Sequence, residues 1–266
     1  MLIKTAKDIT TLKKGGKILG RILSDLVKMC LPGVSTWEID KAAEEMIIKA
    51  GGRPAFKYYK NHPTDPPFPA TICASFNEEI VHGIPKKKTV LKNGDLFTID
   101  IGMEYPVGKQ IRGMYTDTAI TVAVGKTEKQ NYELLNVTAQ ALEVGIEAVK
   151  PGVSIAEVGR AIEKYVKLQG KYGIIRDLSG HGVGYAVHEE PWIPNYYDRR
   201  LDKFIMMPGM VLALEPMITL GGWQIITAPD GWTIKTADDS LCAHFEHTVV
   251  VTNKGCEVIT RRPEEL

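Results

Sequence analysis

Two stretches of this chain repeat one another: PGVSTWEIDKAAEEMIIKAGG from Pro32 and PGVSIAEVGRAIEKYVKLQG from Pro151. Each follows a long helical segment. Each also places Ser three residues before Glu (Ser35 and Glu38, Ser154 and Glu157), the pairing that caps a helix reciprocally at its N-terminus. Next comes a His-Gly segment, His82-Gly83-Ile84-Pro85 in the first half and SGHGVGYAVHEEP from Ser179 in the second. Further on, NGDLFTID ending at Asp100 parallels PGMVLALE ending at Glu215. Chance accounts for a shared PGVS but not for the whole ordered series. The duplication predicts two helix–helix–strand halves in one pseudo-symmetric domain over 1–266, each delivering an acidic residue at the end of an apolar strand. Neither half alone collects the polar groups, so a site belongs at their junction.

The elements can be bounded. Thr5 with Asp8 caps a first helix to about Met29, which carries Leu12, Ile18, Ile22 and Leu26 at helical spacing and stops at Leu31-Pro32-Gly33. The second helix, boxed by Ser35 and Glu38, runs through about Ala50 and ends at Gly51-Gly52. Thr127 and Gln130 start a third, to about Val149; Ser154 and Glu157 box a fourth, to about Leu168 before Gly170. Tyr115 to Val124 alternates, with Asp117, Ala119, Thr121 and Ala123 on one face. CAHFEHTVVV from Cys242 reads as one strand carrying Glu246, and the proline-rich NHPTDPPFP, 61–69, as a loop.

With 266 residues, 44% hydrophobic and 24% charged, the composition is that of an ordinary globular protein, and a net charge of +1 gives no global attraction to nucleic acid or membrane. Lys86, Lys87 and Lys88 form a basic spot that falls short of a binding patch. Cys30, Cys73, Cys242 and Cys256 make no CxxC pair, which predicts reduced thiols. The N-terminal MLIKTAKDITTLKKGGKIL lacks the apolar core of a secretory signal, and no run reaches the roughly 18 apolar residues that span a bilayer. The expectation is a cytoplasmic protein.

Within SGHGVGYAVHEEP, Gly180, Gly182 and Gly184 exclude a comfortable helix, so His181 and His188 are not an HExxH pair. In extended chain they point to opposite faces unless a bulge intervenes, which assigns them different jobs. Asp100, Asp117, Glu215 and Glu246 each interrupt a segment that favours burial. A buried, unpaired carboxylate is costly or takes up a proton, and four of them require cations that these Lys- and Arg-poor segments do not supply. Two divalent ions, with bridging carboxylates and a shared water, meet that need. A nearby His shifts preference from Mg or Ca towards Mn, Fe, Co or Zn, and the absence of a thiolate ligand argues against a structural zinc. The expected chemistry is a bridging hydroxide attacking a carbonyl or phosphoryl centre, with His82 and His188 left to contact substrate and stabilise the oxyanion. His62 belongs to the loop and His247 points away from Glu246, whereas His244 shares its face as a candidate supporting partner. Cys73 reads as a buried pocket residue, not a nucleophile.

The series CASFNEEIVHGIP (73–85), FTIDIG (97–102), TDTA (116–119), SGHGVGYAVHEEP, ALEPM (213–217) and FEHT (245–248) closely resembles the type I methionine aminopeptidases, from the first helix to Val251. The resemblance implies their pita-bread fold, an α+β architecture of pseudo-two-fold halves around a central antiparallel-rich sheet. It implies removal of the N-terminal methionine from nascent proteins and peptides by a monomeric enzyme using two divalent ions (Co, Mn, Fe, Zn or Ni). Asp100, Asp117, His181, Glu215 and Glu246 would be the ligands, with Asp117 and Glu246 bridging; His181 and Glu215 would complete one ion and Asp100 the other. Glu215 would also shuttle a proton to the leaving amine. By the same resemblance His82 contacts the scissile amide, His188 steadies the tetrahedral intermediate, and Phe68, Cys73 and Trp232 line the pocket for the Met side chain. Transient ribosome docking, suggested by a nascent-chain substrate, is left open.

Two departures stand out. Asp100 and Asp117 are 17 apart, with MEYPVGKQIRG lengthening the hairpin between them, and the segment before Cys73 is extended through FKYYKNHPTDPP, with Phe68 where Tyr is more usual. Between His188 and Glu215 only 26 residues intervene, without the insert of type II enzymes. Three other readings compete: an Xaa-Pro aminopeptidase or dipeptidase of the same fold, a non-catalytic pita-bread binding module, and a two-metal phosphatase or nuclease. A binding module has no reason to keep self-repelling buried carboxylates, and a phosphatase needs a phosphate-gripping Arg or Gly-rich cradle that the sequence lacks.

Overall fold

The computed structural model describes residues 3–60, 62–108 and 112–266; Asn61 of the proline-rich loop and residues 109–111 of the lengthened hairpin lie outside the described residues. Four helices follow the expected order: α1 (Ala6–Val27), α2 (Thr36–Lys49), α3 (Lys129–Ala148) and α4 (Ala156–Gln169). Both capping boxes of the first half form, Thr5 with Asp8 and Ser35 with Glu38. Those of the second half do not. The N-cap of α3 is Glu128, without a side-chain bond, and the Thr127 hydroxyl donates to the Gly94 carbonyl instead. At α4, Ile155 is already in helical conformation, so Ser154 stands a residue too early to meet the third N–H. Its hydroxyl donates to the Leu201 carbonyl and accepts from the Ala156 N–H, while Glu157 holds Arg160.

The duplication survives this difference because it is carried by the backbone. Ser35 bridges Val90 as Ser154 bridges Ile205, and the Gly33 N–H donates to Leu91 as that of Gly152 does to Met206. One constant step along the chain takes Leu91 to Met206, Gly94 to Gly209 (both glycines left-handed) and Asp100 to Glu215.

The strands that carry the polar residues are β1 (Ile72–Phe76), β2 (Leu96–Tyr105), β3 (Met114–Ala123), β4 (Gly180–Gly182), β5 (Glu189–Ile193), β6 (Val211–Leu214), β7 (Cys242–His244) and β8 (Glu246–Val251). The main sheet runs β2-β3-β8-β6-β4-β5, with β1 also paired to β2, and these pairs are antiparallel. The single strand expected from Cys242 is thus two. β7 pairs with Met217–Thr219 in a smaller sheet, and at Phe245 the chain crosses from it into the main one. Pro216, which has no N–H for a ladder, marks the same break on the facing segment.

All four helices lie on one side of the sheet. From α1 and α2, Leu19, Leu23, Ile39 and Ile47 pack on Phe97, Ile99 and Ile101 of β2. From α3 and α4, Leu134, Ala141, Val158 and Ile162 cluster with Leu212, Leu214 and Val249 of β6 and β8. Because alternate strand residues face opposite ways, Asp100, Ala213 and Glu246 are directed to the other, inner face.

Candidate active site

Register assembles the site. Cys73 stands opposite Asp100, Asp100 opposite Ala119, and Ala119 opposite Glu246, so this row crosses three strand junctions on one face. Asp117 lies two residues from Ala119 and shares that face. A second row runs Thr248, Ala213, His181 and Trp192, with Glu215 two residues beyond Ala213. Two alanines at the centre leave room between the carboxylates. The spacing of Asp100 and Asp117 is now explained: Asp117 opposes Gly102, and the length of the hairpin tip drops out of the geometry.

The segment SGHGVGYAVHEEP is not one extended run. β4 and β5 form a hairpin whose register shifts between His181 and Gly182, and residues 183–188 turn back between them. The rings of His181 and His188 therefore meet edge to face at 4.6 Å, the case in which an irregularity intervenes in the extended run. The turn is held by Glu189, which accepts from the Ala186 N–H and from Lys4 Nζ at 2.7 Å. Glycine is required on both sides of His181, since a Cβ at Gly180 or Gly182 would lie 2.3 Å from the carbonyl oxygen of Ala213 or Glu190.

These elements enclose a cavity of about 870 Å³ lined by Asp100, Asp117, His181, Glu215 and Glu246, by His82 and His188, and by Phe68, Cys73 and Trp232. Every site residue singled out from the sequence is thus brought to one place. Phe56, Tyr59 and Trp192 also line it and were not singled out; they sit in irregular or hairpin segments without a periodic signal. The Phe68 and Trp232 rings meet edge to face at 5.3 Å. Phe68 keeps its place despite the extended segment, because the Tyr58 N–H donates to the Phe68 carbonyl and the Phe68 N–H to that of Tyr59, closing the neck of the loop. Lys86 to Lys88 are exposed, as is His62. His247 lies on the far face, its Nδ1 3.0 Å from the Thr260 hydroxyl.

The donor set fits divalent cations. Ligand atoms of Asp117, His181 and Glu246 all lie within 4.8 Å of one another. Buried oxygens of Asp100, Asp117 and Glu246 have no hydrogen-bond partner among the described residues. His181 Nδ1–H donates to the Gly182 carbonyl at 2.9 Å, which leaves the Nε2 lone pair facing the carboxylates, 3.6 Å from Glu215. His244 Nε2 approaches the other Glu215 oxygen at 3.4 Å, as a supporting partner would.

Burial pushes the Glu215 carboxyl up to about 8 and that of Asp100 to about 6; burial and then the neighbouring carboxylates raise Asp117 and Glu246 well above their ordinary range. Burial also pulls His181 down to about 3, and His82, His188 and His244 to about 4, so all four are neutral at pH 7. Burial, before its acidic neighbours, puts the Cys73 thiol far above any thiolate role.

A sign follows for the metal-free protein. Its raised carboxyls hold protons that the unfolded chain releases near pH 4, so they lose stability as pH rises through their folded values. The depressed histidines act oppositely, but only below about pH 6.5, where the unfolded imidazoles charge. Between pH 6.5 and 8.5 the melting temperature of chelator-treated protein is therefore expected to fall by about 5 °C. Divalent metal should abolish the fall; a thermal scan at the two pH values with and without chelator decides, and an equal fall in both would place the titration elsewhere.

Residues 10–253 match the model of metallopeptidase family M24. The chain is 38% identical to methionine aminopeptidase 1 of Bacillus subtilis, across 98% of this chain and 99% of that protein, and 40% identical to methionine aminopeptidase of Aquifex aeolicus, across 96% of each. Among solved structures, the methionine aminopeptidase of Thermotoga maritima superposes with a TM-score of 0.90 at 38% identity, covering 98% of this chain and 100% of that one. Prolidase of Pyrococcus horikoshii, at 21% identity and a TM-score of 0.72, shares the fold over 65% of its own length. This pita-bread chain, with its carboxylate and histidine cluster on the inner face of the sheet, belongs to metallopeptidase family M24.

Proposed function

We propose that this chain is a metal-dependent aminopeptidase that removes the N-terminal methionine from proteins and peptides. The observation that carries the proposal is the row geometry: five oxygen and nitrogen donors converge on one sheet face at the floor of a cavity walled by Phe68, Cys73 and Trp232. Asp100, Asp117, His181, Glu215 and Glu246 would hold two divalent ions, drawn from Co, Mn, Fe, Zn or Ni. When bound, the ions supply the positive charge this cluster lacks, anchor the free α-amine, activate water and polarise the scissile carbonyl.

The remaining steps belong to the chain. Glu215, 3.6 Å from His181 Nε2 at the cavity floor, takes a proton from the attacking water and passes it to the leaving amine. His82, held at φ +60 beside the Trp232 ring, contacts the scissile amide, and His188 donates to the carbonyl oxygen as charge builds there. Phe68, Cys73 and Trp232 close an apolar, sulfur-lined pocket around the methionine side chain, so specificity rests on area burial and soft contacts. We read 1–266 as a single domain. No described helix is long and apolar enough to cross a membrane.

The test is hydrolysis by metal-depleted protein with Mn²⁺, Co²⁺ or Fe²⁺ added back. The expected result is metal-dependent release of free Met from a Met-Ala-Ser peptide, with an Ala-Pro peptide spared. Cleavage of the Pro peptide alone would keep the metal site and overturn the substrate, replacing it with the Xaa-Pro reading.

A further inference from the structure

Resting on that reading, we propose that Tyr59 is a positioning residue that fixes the tautomer of His188, so that Nε2–H faces the cavity. The Tyr59 hydroxyl lies 2.8 Å from His188 Nδ1, and the two rings meet edge to face at 5.1 Å. A neutral imidazole carries one N–H, and the group on its other nitrogen decides which. If Nδ1 carried the proton, the phenolic hydrogen would be left without a described acceptor in a part-buried position. The ring would then offer no N–H from Nε2 to the cavity it lines. With the phenol donating to Nδ1, its hydrogen is satisfied and the imidazole proton is left on Nε2, in a ring that lines the cavity.

His181 supplies the contrast. Its Nδ1 meets the Gly182 carbonyl, which can only accept, so the proton is on Nδ1 and the lone pair on Nε2. The partner of each ring, not the spacing along the chain, separates the ligand histidine from the donor histidine. One hairpin thus carries both tautomers 4.6 Å apart.

Tyr59 itself is set by the neck of the extended loop. Its N–H donates to the Phe56 carbonyl at 2.9 Å, its own carbonyl accepts from the Phe68 N–H at 2.8 Å, and Tyr58 before it takes a left-handed φ of 70°. The extension begins after Tyr59 and ends at Phe68, so it is anchored through two aromatic residues that line the cavity. The hydrogen bond needs no proton transfer. It holds Nε2–H in place, and that donor strengthens onto the carbonyl oxygen as negative charge develops.

The experiment has two arms. Imidazole ¹⁵N spectra of Zn²⁺-loaded protein, with the His188 signals assigned by their loss in His188→Ala, should show Nε2 protonated in the unaltered chain and a mixture in Tyr59→Phe. In turnover, Tyr59→Phe should lower kcat on a Met peptide about tenfold with KM within about twofold, and should have no further effect in a His188→Ala background. A Nδ1-protonated His188 in the unaltered chain would overturn the proposal, as would the same loss from Tyr59→Phe in both backgrounds. An Nε2-protonated ring in a protein that releases no Met would support the tautomer and sink the aminopeptidase reading.

Discussion

Glu246→Ala protein is expected to fold, to bind no divalent metal and to release methionine at least about 10³-fold more slowly than the unaltered chain. Glu246 ends the row that begins at Cys73, two residues from Thr248 in the second row, and so stands where the two sets of donors meet. Its carboxylate is one of three groups, with Asp117 and His181, whose ligand atoms converge within 4.8 Å. Removing it takes away one of the two carboxylates that would bridge the ions, and leaves Asp100, Asp117, His181 and Glu215 to hold a charge they under-compensate. A second readout runs the other way. Burial and then Asp117, Glu215 and Asp100 hold the Glu246 carboxyl high, so its removal relieves the metal-free cluster. At pH 8 the metal-free variant should therefore melt above the metal-free parent, the stability that a binding site gives up for its function. Elemental analysis, Met release and a thermal scan cover the three claims. Normal metal content with activity retained would sink the ligand assignment.

Much of this was legible from residue order alone, because the informative signals were contradictions. Four acids in segments that otherwise favour burial have few physical resolutions, and the duplicated PGVS units set their pairing before any strand was placed. What the sequence could not supply was register and turn geometry. For the two histidines of SGHGVGYAVHEEP a strand period gives opposite faces unless a bulge intervenes, and the sequence does not say whether one does. Once residues 183–188 fold back, they share one cavity. The Ser154 box failed for a similar reason: the S-x-x-E pattern was present, but Ile155 had already entered the helix and the hydroxyl found a tertiary partner. Tyr59 and Trp192 carried no signal, since an aromatic residue in a loop or at a hairpin rim has no period to betray its direction. Break points at Pro216 and Phe245, which move the chain between sheets, are likewise matters of pairing that one strand cannot show.

His188→Ala should separate the two histidines. The expected variant binds metal as the parent does, holds KM within about twofold, and loses about 10²-fold or more in kcat, the scale for one oxyanion donor. The reasoning is differential: His188 makes its decisive hydrogen bond to charge that exists only in the transition state, so its loss leaves ground-state binding largely intact. His181→Ala, by contrast, should lose metal, since its Nε2 lone pair faces the carboxylates and its Nδ1 is committed to Gly182. Metal content measured beside single-turnover release distinguishes the cases. If His188→Ala emptied the site as fully as Glu246→Ala, then the 4.6 Å ring contact would be its main role, propping His181 in place, and the division of labour between the two rings would fall. If its metal stayed and kcat dropped alone, the hairpin would be doing two separate things with two copies of one side chain, told apart only by what each Nδ1 touches.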